Sequence, residues 1–427
     1  MSYKKNLLVV LTTILFIFLS NVKIMAQDDK IPGGNQTDPI KSKVENGKLV
    51  FQSEDGNFRW WIDSRIQVDG AIYFENKNAL SNGVDLRRLT FALKSTLWKD
   101  WYAELDVDFA EAVSTKSQID LRDMIVRYTF PKINLSLQAG NFKEPFGLER
   151  LNSSRLLTFL ERSASSNAFP LGRRVGVQAR YWTDFAQVTA AVMGHEAGTR
   201  IDKGQRDEGF STNLRATVAP INHFGENLHF GLAGSYKTPD AVADLKPNTI
   251  EINARTETYV FNPKFLHTGD ITDVNYFNRY GAELMYINGP LYLQTEYMGT
   301  SVYRWYGKPT INLKGGYVMG SWMITGETRY YFADEGEVGP VEAPKHSWGA
   351  LEFAARYSVT NLNDDGTDIH GGQSNQLTLG LNYYPNTSIR LMFDYSYVNL
   401  DQFATRKGNL IGNDDFSFFQ MRVQASL

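Results

Sequence analysis

The residues of this sequence best suited to bind a ligand lie in two neighbouring charged stretches. They read G-N-F-K-E-P-F-G-L-E-R-L (140–151) and L-E-R-S (160–163). A guanidinium group offers two parallel N–H donors that match two oxygens of a phosphate or carboxylate, and an ammonium group adds a compact positive charge. The cations of these stretches therefore predict contact with small anions.

These stretches interrupt a chain that alternates between apolar and polar side chains. Clear examples are 58–69, 103–109, 175–181, 210–218, 351–357, 377–383 and 419–425. Successive side chains of a β-strand point to opposite faces, so a period of two predicts strands with one apolar and one polar face. The 22 Tyr, 26 Phe and 35 Gly of the chain fit such strands.

The connections between the predicted strands alternate between short and long. The short ones are 98–101, 130–133, 182–185, 287–290 and 384–387, and the long ones lie near 75–85, 110–118, 145–172, 195–208, 238–276 and 361–375. Short turns at one end and long loops at the other are typical of an outer-membrane β-barrel, in which closure pairs every backbone group. A soluble β-sandwich or propeller is the alternative, because its strands alternate too.

We therefore expect an all-β fold, a closed antiparallel transmembrane β-barrel of about 16 strands over residues 57–427. The range 310–348 leaves the strand count open. It contains a clear strand, then T-G-E-T-R-Y-Y-F and a stretch rich in Pro and Glu that is long for a short turn.

The N-terminus and the composition indicate the compartment. Residues 1–26 join Lys4 and Lys5 to an apolar run and end on Ala26, which predicts a secretory signal peptide. An uncleaved anchor is the alternative. Residues 27–56 are polar and predict a flexible periplasmic segment. Without cysteine there is no disulfide or thiolate metal site, and a net charge of −3 argues against nucleic-acid binding.

The candidate anion-binding residues form two groups. Those predicted on the inner wall of the barrel are Arg59, Arg65, Arg88, Lys94 and Arg180, and those in or beside the segment 145–172 are Lys143, Arg150, Arg155, Arg162, Arg173 and Arg174. The competing interpretation is local ion pairing, namely Lys143 with Glu144, Arg150 with Glu149 and Arg162 with Glu161. We expect no cofactor and no metal ion.

The segment 133–177 also resembles a known family. The residues that carry the resemblance are G-N-F-K-E-P-F-G-L-E (140–149), F-L-E-R-S (159–163) and F-P-L-G-R-R-V-G-V (169–177), with weaker matches along most of the chain. They are similar to the phosphate-selective porins O and P of Gram-negative outer membranes. The resemblance implies a homotrimer of 16-stranded barrels in the bacterial outer membrane. It also implies a third extracellular loop, 145–172, that folds inward to constrict the pore, and arginines and lysines that bind the passing anion.

The predicted inner wall itself does not decide which solute passes. Ten basic and ten acidic residues are predicted on it. The basic ones are the five named above together with Arg127, Arg215, Arg356, Arg390 and Arg422, and the acidic ones are Asp63, Asp69, Glu104, Asp106, Asp108, Asp123, Glu283, Glu296, Glu352 and Asp394. The expected function is therefore a porin for small hydrophilic solutes, with anions such as phosphate or polyphosphate favoured by the resemblance. A general diffusion porin or a sugar porin, guided by loop aromatics such as Tyr303, Trp305 and Tyr306, is the alternative.

An enzyme is the remote alternative. Glu149 and Glu161 could serve as the acid and base of a secreted carbohydrate-active enzyme. The six histidines show no metal-ligand spacing, and no G-x-S-x-G motif is present. We therefore expect a channel and not an enzyme.

Overall fold

The computed structural model describes residues 40–45, 48–74, 77–113, 119–197, 209–239, 248–260 and 263–426. Two strands form a hairpin that precedes the barrel, β1 (Ile40–Glu45) and β2 (Lys48–Ser53). The first barrel strands are β3 (Phe58–Phe74), β4 (Gly83–Leu97), β5 (Trp101–Asp108), β6 (Asp120–Phe130), β7 (Leu135–Lys143), β8 (Arg173–Trp182), β9 (Ala186–Met193), β10 (Ser211–His223) and β11 (Glu226–Lys237). The remaining ones are β14 (Val274–Asn288), β15 (Leu291–Arg304), β16 (Ile311–Met323), β19 (Ala350–Asp364), β20 (Ile369–Tyr384), β21 (Ile389–Leu400) and β22 (Asp415–Ser426).

Each barrel strand pairs antiparallel with its neighbours, and β22 pairs with β3, from Ser417↔Phe74 to Ser426↔Arg65. The predicted closed barrel of sixteen strands is thereby confirmed. Two short pairs lie outside the wall, β12 (Asn253–Ala254) with β13 (Leu266–His267) and β17 (Arg329–Phe332) with β18 (Glu337–Val341). The described helices are α1 (Ala110–Val113), α2 (Leu148–Leu151) and α3 (Ala164–Ala168). None of them has the length and apolar character to cross a membrane.

The wall buries its polar face and exposes its apolar face. In β10 the side chain of Arg215 is 1% exposed, whereas the adjacent Leu214 is 55% exposed. An outer face of apolar side chains suits lipid, and an inner face of polar side chains can meet water or other polar groups. The alternation read from the sequence has this origin.

The connections largely follow the prediction. The turns at one end of the barrel are short, at 98–100, 131–134, 183–185, 224–225, 289–290 and 385–388. The predicted long loop at 361–375 is wrong, because β19 and β20 pair with each other as far as Asp364↔Ile369 and leave only 365–368 between them. A long loop at 401–414 was not predicted.

The range 310–348, for which the sequence left the strand count open, contains one wall strand, β16. The β17–β18 hairpin follows it on the short-turn side. The strand count therefore stays even. This connection is long because it carries a hairpin of its own.

Of the predicted flexible segment, 27–56, the structure describes residues 40–45 and 48–56. Residues 40–45 and 48–53 form the β1–β2 hairpin, and β2 pairs with β3 through Val50↔Trp61. Val50 is buried and joins the hairpin to the wall, so these residues form paired strands, and the flexibility of 27–56 stays a prediction. The predicted signal peptide lies outside the described residues.

Candidate functional site

The segment between β7 and β8 (144–172), called the β7–β8 segment below, is bonded to the polar inner face of the barrel. Its partners lie on strands spread around the wall: Asp63 and Gln67 on β3, Arg87 on β4, Arg279 on β14, Glu296 on β15, Arg356 on β19, Asn382 on β20, Arg390 and Asp394 on β21, and Arg422 and Gln424 on β22. One segment of the chain is thus joined to eight of the sixteen wall strands.

Glu161 is the most heavily paired carboxylate of the segment. It accepts hydrogen bonds from Arg87 Nε at 2.7 Å and from Arg422 Nη2 at 2.8 Å, and Arg88 lies 3.9 Å away. Burial alone would raise the pKa of this carboxyl, but the three guanidinium groups outweigh it and hold the pKa below its ordinary value. Glu161 therefore stays charged and ties the segment to β4 and β22.

Two further glutamates anchor the segment to the opposite wall. Glu144 accepts two hydrogen bonds from Arg279, one of them 2.8 Å long. Glu149 accepts from Arg356 Nη1 at 3.2 Å, and the same guanidinium also contacts Glu257. Each of these arginines is buried, so the carboxylates supply the counter-charge that a buried guanidinium requires.

The backbone of the segment is also satisfied by wall side chains. The two oxygens of Glu296 accept from the N–H groups of Leu148, at 2.8 Å, and Glu149, at 2.7 Å, at the start of α2. Arg390 and Arg422 each donate to a carbonyl of the segment at 2.6 Å. Peptide groups inside a barrel need such partners because an unpaired buried polar group is costly.

Glycines on the wall make room for the aromatic rings of the segment. A Cβ at Gly380 would lie 3.1 Å from Phe159 Cε1, and a Cβ at Gly315 would lie 3.2 Å from Phe169 Cε2. Gly281 similarly faces Phe146, at 3.4 Å. The inner wall and the segment are therefore complementary in shape as well as in charge.

None of the three predicted local ion pairs forms. Lys143 donates to the carbonyl of Asn152 at 3.2 Å and also to that of Leu151, and Arg162 donates to backbone carbonyls at 2.8 and 2.7 Å. Arg150 reaches the amide oxygen of Asn167 at 3.5 Å. Within the described chain no carboxylate oxygen lies within 4.0 Å of these three cationic groups. The carboxylates of the segment thus pair with wall arginines, whereas Arg150 and Arg162 have no carboxylate partner in the described chain.

The predicted wall cations differ from one another in their partners. Arg65 is buried, and its described contact is a long one, 3.5 Å, to Thr90 Oγ1. Arg88 donates to Gln67 at 2.7 Å. The remaining wall cations lie beside carboxylates, Arg59 with Glu45, Lys94 with Asp63 and Arg180 with Glu335. So do three cations of the predicted loop group, Arg155 with Asp63, Arg173 with Asp123 and Arg174 with Glu196.

Three inner-face arginines of the wall escaped the sequence prediction: Arg279 of β14, which binds Glu144, and Arg87 and Arg122, which lie at irregularities of strand register. The register of β4 skips Arg87, between the pairs Gln67↔Arg88 and Val68↔Leu86. A second irregularity in β6 brings Arg122 within 3.2 Å of both Asp106 and Asp108. A β-bulge turns an additional side chain to the same face as its neighbour. The consecutive arginines at 87–88 interrupt the alternation and were the available signal.

Two other elements meet the β7–β8 segment. In the range 248–260, Glu257 Oε1 accepts from the N–H of Ala164 at 3.0 Å, and the ring of Tyr259 lies 3.8 Å from the guanidinium of Arg87, which binds Glu161. The β17–β18 hairpin binds the segment from the short-turn side through Val338 N and Asn152 Oδ1, 3.1 Å apart, and Arg329 bridges Thr158 and the wall residue Glu352. The hairpin and the segment therefore occupy the same part of the barrel.

The inner faces of β5, β6, β9, β10 and β11 make no described hydrogen bond or ion pair with the β7–β8 segment. Half-buried Glu104, Asp123, Arg127 and Arg180 lie on this part of the wall or beside it, on β8. Glu104, Asp106 and Asp123 lie close enough together to surround a cation. Each is already within 3.4 Å of a lysine or arginine, so the group is charge-balanced.

Comparisons with known proteins agree with this architecture. The family model described as phosphate-selective porin O and P matches residues 61–426. Porin O of Pseudomonas aeruginosa is 25% identical over 90% of this chain and 91% of its own. Among solved structures, the outer membrane channel DcaP of Acinetobacter baumannii matches with a TM-score of 0.55 at 13% identity, covering 88% of this chain and 99% of its own. An anion-selective porin from Comamonas acidovorans matches at 0.53 and 12% identity, covering 87% and 100%.

Proposed function

The chain belongs to the phosphate-selective porin O and P family, and from this premise we propose that it favours small oxyanions, such as phosphate or polyphosphate, at a constriction formed by the β7–β8 segment. The protein is a porin of the bacterial outer membrane. Membership of this family indicates a channel and not an enzyme. The candidate acid and base, Glu149 and Glu161, both serve as counter-charges of arginines.

The observation that carries the proposal is the separation of charge within the β7–β8 segment. Glu144, Glu149 and Glu161 are bonded to wall arginines, whereas Arg150 and Arg162 of the segment, and Lys143 at the adjoining end of β7, are without a carboxylate in the described chain. An anion that comes within reach of these three groups would meet cations whose charge is not neutralised by a described carboxylate. Oxyanion oxygens can accept hydrogen bonds from the N–H groups that now donate to backbone carbonyls.

Equal numbers of acidic and basic residues on the wall are compatible with a preference for anions. Most acidic wall residues are used in ion pairs, among them Asp69 with Arg422 at 2.6 Å and Glu283 with Arg215 at 2.7 Å. A selective pore needs sites that bind weakly enough to release the ion. Arg65 on the wall, Arg150 and Arg162 in the segment and Lys143 at the end of β7 have no described carboxylate partner and would provide several such sites.

Ion selectivity in planar bilayers tests the proposal. In a salt gradient the reversal potential should report preference for chloride over potassium, and added phosphate should block the chloride current. Equal permeability of the two ions without a block by phosphate would contradict the proposal. A block by maltodextrins in place of phosphate would favour a sugar porin. We also propose a homotrimer, which cross-linking in detergent would detect as a three-protomer species.

A further inference from the structure

The outer face of the wall from β11 to β19 carries an exposed lysine in a row of side chains fixed by strand register. The row runs through Gly234, Tyr280, Gly299, Lys314 and Asn361, each directly paired with the next. Lys314 is exposed, and its ammonium has no hydrogen-bond or ion-pair partner in the described chain. A charged group on the lipid-facing side of a barrel is costly unless it lies near the headgroups or finds a counter-charge.

The position of Lys314 along β16 places it at the edge of the apolar band. Trp322, on the same face, lies close to the short-turn end of the strand. Eight residues of a strand span about 26 Å, or about 20 Å along the axis of a barrel whose strands tilt by about 40°. The apolar band of such barrels is about 25 Å tall. Lys314 therefore lies at the long-loop edge of the band, where lipid headgroups begin.

An apolar groove lies immediately below this row, toward the middle of the membrane. Its cavity volume is about 620 Å³, and its outward lining is mostly apolar, with Phe230, Leu232, Leu284 and Tyr297 among the large side chains and Thr295 as the polar exception. Ala216 and Ala282 pair with Leu232 from the two neighbouring strands. Their small side chains among larger ones create the depression. Leu232 is 67% exposed. The groove is thus an open, largely apolar depression on the lipid-facing surface of the wall.

Two tyrosines connect the groove to the lysine. The ring of Tyr297, which lines the groove, lies 6.4 Å from the ring of Tyr280. The hydroxyl of Tyr280 covers Gly299, where a Cβ would lie only 2.6 Å from it. Gly299 is the direct neighbour of Lys314. The phenol of Tyr280 therefore lies over the residue next to Lys314, at the edge of an apolar depression.

We propose that this surface binds a lipid with a phosphorylated headgroup, whose phosphate contacts Lys314 and whose acyl chain lies in the groove. The charge supports this occupant, because a phosphate would neutralise the exposed ammonium and accept from the tyrosine hydroxyls. The dimensions support it as well. Lys314 and Ala282 are two strands apart, about 10 Å, and one row apart along the strands. That separation suits a headgroup and the first carbons of its chain.

The experiment measures lipid binding to the purified, folded barrel by native mass spectrometry in detergent. The probes are bisphosphorylated lipid A, the same lipid A without its phosphates, and inorganic phosphate as a competitor. We expect the phosphorylated lipid to bind more tightly. Lys314→Gln should weaken that binding by about fivefold and leave the dephosphorylated lipid unaffected. Lys132→Gln, an exposed lysine in a turn at the opposite end of the barrel, is the matched control.

Ala282→Trp fills the groove and should weaken binding of both lipids, with a heat-modifiable gel shift to confirm folding. Equal binding of the two lipids, or normal binding by the Lys314→Gln variant, would overturn the proposal. Displacement of the lipid by millimolar phosphate would overturn it too, because the site would then take the free ion. A changed oligomeric state of the Ala282→Trp variant without lipid binding would identify the groove as a protomer interface instead. Lys314→Gln should leave ion selectivity unchanged, which separates this test from that of the proposed pore function.

Discussion

The carboxylate of Glu161 lies 2.8 Å from the guanidinium of Arg422, 261 residues further along the chain. Arg422 belongs to β22, which closes the barrel on β3, and it also binds Asp69 of β3 at 2.6 Å. One guanidinium group thus joins the seam of the barrel to the β7–β8 segment. The position of the segment and the closure of the wall are therefore energetically linked.

Glu161→Gln should loosen the β7–β8 segment. The substitution leaves Arg87 without its carboxylate partner, whereas Arg422 keeps Asp69. Removing one partner of a buried pair costs about 3–5 kcal/mol. We expect a lower temperature for the heat-modifiable gel transition and noisier single-channel currents. Glu226→Gln, an exposed glutamate of β11, should change neither. A Glu161→Gln variant with wild-type stability and quiet currents would show that the segment is held without this pair.

The stabilisation by Glu161 should persist to low pH. Burial raises the pKa of this carboxyl, but Arg87, Arg88 and Arg422 lower it further, to a net value below the ordinary 4.5. A carboxylate with a lowered pKa in the folded state contributes its full stability above its ordinary pKa and loses it only as pH falls toward the folded value. The stability difference between wild type and Glu161→Gln should therefore stay constant from pH 7 to about 5 and shrink below pH 4. A difference that already vanishes above pH 5 would contradict the ion-pair assignment.

Lys143→Gln should reduce anion preference without disturbing the fold. Lys143 binds backbone carbonyls and no described carboxylate, so its removal leaves no buried carboxylate unpaired. We expect the anion-to-cation permeability ratio, measured from reversal potentials, to fall by about fivefold, the effect of one charge a few ångströms from the ion in water. The exposed Lys132→Gln variant serves as the control. An unchanged ratio in the folded variant would place Lys143 away from the ion path.

Gly380→Ala tests the fit between the wall and the segment. A Cβ at this position would lie 3.1 Å from both Phe159 and Asp394 Oδ1. Such overpacking costs about 1–3 kcal/mol, because one of these groups must move. We expect a lower transition temperature and an altered conductance. Gly234→Ala adds the same methyl group on the outer face, where nothing lies within 4 Å, and should be neutral. Equal behaviour of the two variants would mean that the segment does not press on this wall.

The regular part of the fold was predictable from the sequence because the membrane imposes it. Stretches such as 58–69 and 175–181 alternate strictly, since one face meets lipid and the other meets polar groups, and both lie in wall strands. The short turns were predictable for the same reason. The bulge that turns Arg87 inward was not, because a bulge changes register by a single residue and period-two reasoning carries the error into the assignment of faces.

Pairing inside the barrel was also beyond sequence reasoning. Adjacent charges such as Arg162 and Glu161 suggest a local pair, yet Glu161 pairs with Arg87 and Arg422, which are distant in the chain. The closed wall brings such residues together, and a buried carboxylate takes the guanidinium groups that surround it most closely. Only the three-dimensional arrangement shows which cations are left unpaired.

Replacing β17–β18 (329–341) with a short Gly/Ser linker should widen the pore. The hairpin fills space beside the β7–β8 segment, through Val338 and Asn152, and Arg215 of the wall donates to the carbonyl of Gly336 at 2.7 Å. Without it, water and ions can enter the volume that these contacts now occupy, so single-channel conductance should rise several-fold.

The barrel itself should survive this replacement, because the hairpin forms a separate two-stranded sheet and β16 pairs directly with β19. Tyr331→Phe is the matched control, since it removes only the hydroxyl contact to His229 Nδ1, 2.7 Å long, and keeps the hairpin. Its conductance should equal that of the wild type. If the linker variant folds and conducts no more than the wild type, the hairpin lies off the ion path, and the constriction belongs to the β7–β8 segment alone.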